Sequence, residues 1–191
     1  MALAKLSKAH VAELLKDDGV VGYGTIRRLR GLVSLNMEVK ETTELFHADN
    51  VVDDKYTKFE ECTVTLVIKE MPLEDYRYLY NKTVDTDGLT VDKTDDEQSW
   101  KAFGFEGGIG KNDKRMVWLT KGYFEPISEE FKTEAGGVEV ITQELQGTFI
   151  ARATDNVWRK RADSTDTNMT PEKVETFFDT VAGIAPTPVT P

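Results

Sequence analysis

A strict alternation of apolar and polar residues over residues 31–40, GLVSLNMEVK, constrains the fold more than any other feature of this sequence. Successive side chains of a β-strand point to opposite faces, so the pattern predicts a half-buried strand. The face that carries Val33, Leu35, Met37 and Val39 needs a core. The opposite face is polar and consists of Ser34, Asn36, Glu38 and Lys40.

A second stretch, residues 62–69, repeats this alternation and predicts a partner strand. Its inward face would carry Cys62, Val64, Leu66 and Ile68. Its outward face would carry Thr63, Thr65, Val67 and Lys69. Between the two stretches, residues 41–60 are acidic and poorly patterned, which predicts a long loop. Loops of that length are uncommon in compact domains and are usually functional.

The remaining chain is mostly strand-like. Residues 2–16 fit a helix or a strand, and residues 20–23 a short return strand after an Asp-Gly turn. A helix is predicted over residues 72–81, with Pro72 at its first position. Further strands are predicted at 99–108, 114–126 and 138–158, with Gly147 as a bend or bulge in the last.

The C-terminal part changes composition after Trp158. Residues 159–168 are polar and predict a loop. Residues 170–183 predict a helix, with Thr170 as its N-cap, and residues 184–191 a frayed tail. The fold class is therefore mainly β, with two packed antiparallel sheets in a sandwich or open barrel, one short internal helix and a C-terminal helix or arm. We divide the chain into a β domain, residues 1–160, and an arm, residues 161–191.

Composition limits the function. The chain has 191 residues, 39% of them hydrophobic and 30% charged, as in a soluble globular protein. The formal net charge of −10 argues against a protein that grips nucleic acid through its phosphates. No apolar run approaches the ~20 residues of a membrane-spanning helix, and charged residues interrupt the first 19 positions, so we expect cytoplasmic synthesis.

No motif predicts catalysis, a metal or a cofactor. The single cysteine, Cys62, is in phase with the apolar face of its strand, and His10 and His47 lack zinc-site spacing. The glycines near Gly24 and Gly110 match neither a dinucleotide nor a phosphate loop, and Asp87-Gly88 fits a plain hairpin turn. The basic clusters at residues 27–30 and 158–161 are expected to pair with carboxylates, within the subunit or across an interface. We therefore expect a non-enzyme.

The order of elements carries a family resemblance. A strand leads into the acidic segment 41–60, then into a strand that flows into a helix at 61–80, and later come VWLTKGYFEP at 117–126 and ELQGTFIAR at 144–152. Over residues 20–155 this resembles the major tail proteins of long-tailed bacteriophages, the subunits of the tail tube. The likeness is weaker before residue 20, and the chain lacks the immunoglobulin-like domain that some relatives carry at their C-terminus.

The resemblance implies a structural virion protein. Such subunits form hexameric rings whose inner sheets join around a channel, and the rings stack into a tube around a tape measure protein, between a tail terminator and distal tail or baseplate proteins. DNA later passes through the lumen without being gripped. Assembly takes place in the host bacterial cytoplasm, and the protein ends in the virion tail.

By this resemblance the polar faces of the two alternating strands would line the lumen: Ser34, Asn36, Glu38, Lys40, Thr63, Thr65 and Lys69. Their lysines would pair with glutamates on neighbouring strands. The segment 41–60 would contact the next ring, through Glu41, Glu44, Asp49, Asp53, Asp54 and Lys55. The segment after Asp155 would be a second contact arm.

Other functions stay open from the sequence. A type VI secretion tube subunit, a tail terminator or a distal tail protein would share the architecture. A β-barrel binding module, or a small enzyme with an acidic pocket, is a more distant alternative.

Overall fold

The computed structural model describes residues 4–48, 51–127 and 142–187. Antiparallel strands dominate it, which confirms the mainly β class predicted from the alternating stretches. The strands are β1 Ala4–Asp17, β2 Val21–Tyr23, β3 Arg27–Leu29, β4 Leu32–Ala48, β5 Val51–Ile68, β6 Thr83–Val84, β7 Thr90–Val91, β8 Lys101–Ile109, β9 Asp113–Phe124, β10 Gln143–Ile150 and β11 Arg159–Asp163. The helices are α1 Leu73–Tyr80 and α2 Pro171–Glu175, followed by a 3-10 turn, Phe177–Asp179.

Nine of the strands form one sheet, in the order β2-β1-β8-β9-β10-β5-β4. The short β3 pairs with β1, and β11 pairs with β9. One edge of β9 serves two partners in turn, because β11 pairs with its first half and β10 with its last four residues. β6 and β7 form a separate two-stranded hairpin.

The sheet folds over a hydrophobic core. Residues of β1, β8 and β9 form a single buried cluster with residues of β5 and β10, so the two halves of the sheet face each other. The cluster includes Val11, Cys62, Val64, Leu66, Phe103, Phe105, Leu119, Leu145 and Phe149. Leu79 and Tyr80 of α1 join the same cluster, so the helix covers part of this core.

A second cluster lies on the other face of β1, β8 and β9. There the C-terminal residues Phe178, Val181 and Ala182 pack against Trp118 and Met116 of β9. Strands β8 and β9 are consequently covered on both faces, and residues 101–107 are buried without interruption. The C-terminal segment thus forms a layer of the body as far as Thr187, whose N–H donates to the carbonyl of Tyr23 (2.7 Å).

Several local predictions are confirmed. The helix lies within residues 72–81, and Asp87-Gly88 turns the β6–β7 hairpin. Residues 4–17, for which the sequence left helix and strand open, form a strand. The carboxylate of Asp85 accepts from the N–H groups of Asp87 and Leu89, which fixes that turn. Thr170 is the N-cap of α2 and accepts from the N–H of Lys173.

Other local predictions are wrong. Residues 41–48 and 51–60 are not a loop, because they continue β4 and β5 as a paired ladder. Residues 159–163 form a strand, not a loop, since β9 offers an edge to them. The C-terminal helix spans only Pro171–Glu175.

The predicted strand at 138–158 is also shorter, since β10 ends at Ile150 and residues 138–141 lie outside the described part. Gly147 marks no bulge, because its pairing with Val64 is regular. It is a glycine because a Cβ there would lie 2.9 Å from the ring of Phe124.

Candidate functional site

The polar faces predicted from the sequence meet on one surface of the sheet. The register pairs Asn36 with Thr65 and Glu38 with Thr63, so the outward faces of β4 and β5 are continuous. β10 extends this surface, because Gln146 pairs with Thr65 and Thr148 with Thr63. We call it the polar face; it comprises Ser34, Asn36, Glu38, Lys40, Glu61, Thr63, Thr65, Val67, Glu144, Gln146 and Thr148.

Hydrogen bonds and ion pairs organise the polar face. The amide of Asn36 donates to the carboxylate of Glu38 (3.1 Å) along β4. The ammonium of Lys40 donates to Glu61 (3.1 Å) and lies 3.3 Å from Glu60. These two carboxylates raise the pKa of Lys40. The predicted pairing of a face lysine with glutamates of the neighbouring strand is thus confirmed for Lys40.

The charge of the polar face is negative. Glu38, Glu61 and Glu144 stand against the single cation Lys40, and threonine, serine and amide side chains fill the remaining positions except Val67. Glu60, beside the face, accepts from the hydroxyl of Thr42, which together with Lys40 lowers its pKa. Such a surface is hydrated, and it repels phosphates at close range.

The apolar side of β4 differs from its prediction at two positions. Leu35 and Met37 pack against the core as expected. Val33 is 57% exposed because the register shifts between Leu32 and Ser34, so Leu32 takes the inward position. Val39 is 40% exposed, since β4 is the last strand of the sheet.

β4 presents an open edge. Within the described residues it pairs with β5 alone, so one row of its backbone N–H and C=O groups has no strand partner, although β1 contacts part of β4. A long open edge is a template for pairing with another chain, and natural proteins cover or close such edges. Exposed valines beside this row add apolar surface to it.

A two-stranded hairpin projects from the sheet. β10 pairs with β5 only from Cys62 onward, so among the strands that the structure describes, residues 41–48 and 51–60 pair only with each other. Eight residues per strand at ~3.4 Å each give an arm about 25 Å long. Isolated two-stranded hairpins are marginally stable, and this arm is supported at its base, where Phe59 stacks on Trp158 (ring centroids 4.3 Å apart).

The structure brings six of the seven predicted lumen residues together on the polar face; Lys69 lies just beyond the end of β5 and is exposed. Of the residues predicted to contact a neighbouring ring, Glu41 is exposed on the hairpin. Glu44, Asp53, Asp54 and Lys55 belong to its two strands, but their side chains lie outside the described part, as does Asp49 altogether.

The sequence did not predict that β10 forms part of the polar face. Glu144, Gln146 and Thr148 alternate with the buried Leu145, Gly147 and Phe149, so the sequence does carry the signal for a two-faced strand. The sequence does not carry the sheet order that places this strand beside β5.

Buried ionisable groups serve the fold. Arg152, 1% exposed, pairs with Asp155 and donates to the hydroxyl of Tyr23, whose pKa burial raises to about 12. Burial also raises the pKa of the Cys62 thiol to about 11, which leaves it protonated and inert.

No group of three or more His, Cys, Asp or Glu side chains suited to a metal ion occurs among the described residues.

The carboxylate of Asp17 is a structural cap as well. It accepts from Lys121 and from the N–H groups of Ala153 and Thr154, and these bonds hold its pKa far below the ordinary value despite burial. No helix in the part of the chain that the structure describes has the length and apolar character needed to cross a membrane.

Comparison with known proteins identifies no relative, since no protein-family model and no curated protein matches the chain.

Proposed function

We propose that this chain is a structural subunit of a bacteriophage tail tube, which self-assembles into hexameric rings that stack around a DNA-conducting channel. The observation that carries the proposal is the polar face and its position beside the open edge of β4. A subunit of a closed ring needs an edge that another copy can pair with, and a channel wall needs a hydrated surface next to that edge.

The charge of the polar face supports the same proposal. Three carboxylates against one paired lysine make a wall that DNA phosphates do not adhere to. The overall charge of −10 acts in the same direction. The hexameric number, the tape measure, terminator and baseplate partners, and the virion location follow from the family resemblance.

The projecting hairpin supports stacking. A contact made by an arm of one copy on a different surface of the next is head-to-tail, and such contacts propagate into filaments when the rotation does not close. Ring closure through β4 and axial growth through the hairpin would together give a tube.

Negative-stain electron microscopy of the purified protein over a concentration series tests the proposal. We expect rings and tubes of constant diameter with a central channel. Single rings that never stack would favour a terminator role. A protein that stays monomeric at every concentration, alone and with tail-assembly partners, would overturn the proposal.

A further inference from the structure

A cationic groove lies between β11 and the C-terminal segment, and none of its described lining residues belongs to the polar face. Its volume is about 700 Å³. Four of its lining residues are basic: Arg159, Lys160, Arg161 and Lys173. Asp179 is the single acid among the lining residues that the structure describes, so together these residues carry a formal charge of +3 in a chain whose net charge is −10.

None of these four cations forms an ion pair with a carboxylate in the part of the chain that the structure describes. Lys160 and Lys173 donate to the backbone carbonyls of Ala182 (2.8 Å) and Asn168 (3.0 Å). Neighbouring Arg115, by contrast, holds Asp163 through two bonds of 2.6 Å. The groove therefore presents basic side chains that form no ion pair with the described carboxylates of its own subunit.

The rest of the groove is partly apolar. Met169, Phe177 and Ala182 also line it, and the guanidinium of Arg159 lies 4.2 Å over the ring of Trp158. A ligand that fits both parts carries carboxylates next to apolar or aromatic groups. An inorganic anion would leave the apolar part unused.

The hairpin of this same protein has that chemistry. Residues 41–58 contain five acids and two lysines, a formal charge of −3 with His47 neutral. The backbone register sets Glu44 opposite Tyr56 and Phe46 opposite Asp54, so acidic and aromatic positions are paired along the ladder. The charges of hairpin and groove are opposite and equal in size.

The hairpin cannot reach the groove of its own subunit. Phe59 at the hairpin base stacks on Trp158, which precedes Arg159 of the groove, so base and groove are adjacent. The paired ladder, described as far as Ala48 and Val51, then extends about 25 Å from that base. The far end of a hairpin that enters a groove must therefore belong to another copy.

We propose that the cationic groove receives the β4–β5 hairpin of a second copy of this chain. The inference rests on the proposed tube function and adds the surface that receives the arm. Because the groove and the hairpin tip are different parts of the molecule, the contact is head-to-tail and extends an assembly along its axis.

A charge-swap experiment tests the groove. Arg161 and Lys173 are exposed, so R161E/K173E should fold normally. We expect it to raise the concentration needed for stacking by roughly tenfold or more, since like charges would then meet across the contact. E44K/D54K, which reverses the hairpin, should have the same effect, and the variant with all four substitutions should recover stacking. Sedimentation velocity and electron microscopy would follow assembly.

K16E is the control for charge reversal elsewhere, because Lys16 is exposed at the end of β1 and belongs to neither the groove lining nor the hairpin. It should assemble like the wild type. Mixing R161E/K173E with E44K/D54K should yield a complex, since each variant keeps the half of the contact that the other has lost.

The outcomes separate the two proposals. Normal tubes from R161E/K173E would overturn the groove inference and leave the tube function standing, and another protein would then be the occupant to seek. Failure of the fourfold variant to recover stacking while each double variant is folded would also overturn it. A wild type that never self-associates would overturn both.

Discussion

The rings of Phe59 and Trp158 stack with centroids 4.3 Å apart and planes 9° apart. Phe59 lies on β5 at the base of the projecting hairpin, and Trp158 immediately precedes β11. Beyond this stack, the described hairpin residues on either strand are largely exposed. The pair therefore ties the arm to the body.

We expect Trp158→Ala to loosen the arm more than the body. An aromatic pair contributes about 1 kcal/mol beyond the area it buries, so the loss should appear first in the marginal hairpin. Hydrogen exchange of the amides of residues 56–60 should accelerate while those of β8 and β9 stay protected. Trp100→Ala is the control, since Trp100 contacts Tyr123 and Lys121 of β9. Equal acceleration in both variants would contradict the tethering role.

Arg152→Met should destabilise the body. The guanidinium is buried and serves both Asp155 (2.6 Å) and the hydroxyl of Tyr23 (3.1 Å). Its loss removes the ion pair of Asp155 and one of the two hydrogen bonds of the Tyr23 hydroxyl, which still donates to the carbonyl of Thr120. We expect a loss of about 2–3 kcal/mol, below the full value for a buried pair because Asp155 is 39% exposed. Urea unfolding measures it, with Arg30→Met on the surface expected to change stability by less than about 0.5 kcal/mol.

Gly104→Ala tests the packing of the second cluster. A Cβ at this position would lie 2.7 Å from the ring of Trp118, which is fully buried and cannot move away freely. We expect a loss of about 1–3 kcal/mol from overpacking. Gly22→Ala is the control, because its nearest neighbour would be at 3.7 Å. Equal unfolding midpoints for the two variants would show that the cluster can relax around the methyl group.

The strands of the body were predictable from the sequence because burial imposes a period of two on them. Val64 and Leu66 alternate with Thr63 and Thr65, and one face of the strand is buried. The hairpin arm carries no such period, since Thr42, Thr43, Thr57 and Lys58 are exposed regardless of parity. Its acidic composition therefore predicted a loop where the structure has strands.

The site was only half predictable for a different reason. The polar faces of β4 and β5 follow from local alternation and a short sequence separation. The third strand of the polar face, and the groove beside β11, depend on which distant strands pair with β5 and β9. Arg159 and Arg161 lie in a segment with no apolar pattern, so only the pairing with β9 identifies it as a strand.

We expect His10 to make the stability of the protein depend on pH. Its ring stacks on Phe178 (4.6 Å), and burial lowers its pKa, with Arg28 and Lys8 acting in the same direction against the bond to the Lys8 carbonyl and Glu106. Because the pKa of His10 is lower in the folded protein than in the unfolded chain, its contribution to stability is fully present above the unfolded-state pKa of about 6.5. That contribution is lost as the pH falls below this value.

His10→Phe keeps a ring on Phe178 and removes this titration. Between pH 7.5 and pH 5.5 the urea midpoint of the wild type should therefore fall further than that of the variant. Both proteins share every carboxylate, so the difference isolates His10. Parallel midpoints across the range would show that His10 does not couple to folding.

Reversing charge on the polar face should separate folding from function. Glu38 and Glu144 are exposed on β4 and β10, so E38K/E144K should change stability by less than about 0.5 kcal/mol per substitution. The polar face would then carry Glu61 against three lysines.

If the polar face lines a channel, tubes of this variant should retain double-stranded DNA at low salt, and raised salt should release the DNA. Cryo-electron microscopy and DNA co-sedimentation would measure this, with D95K/E97K, at two exposed positions in the loop before β8, as the charge-matched control. Glu38 on the outer wall of an assembled tube would refute the lumen assignment even if tubes form normally.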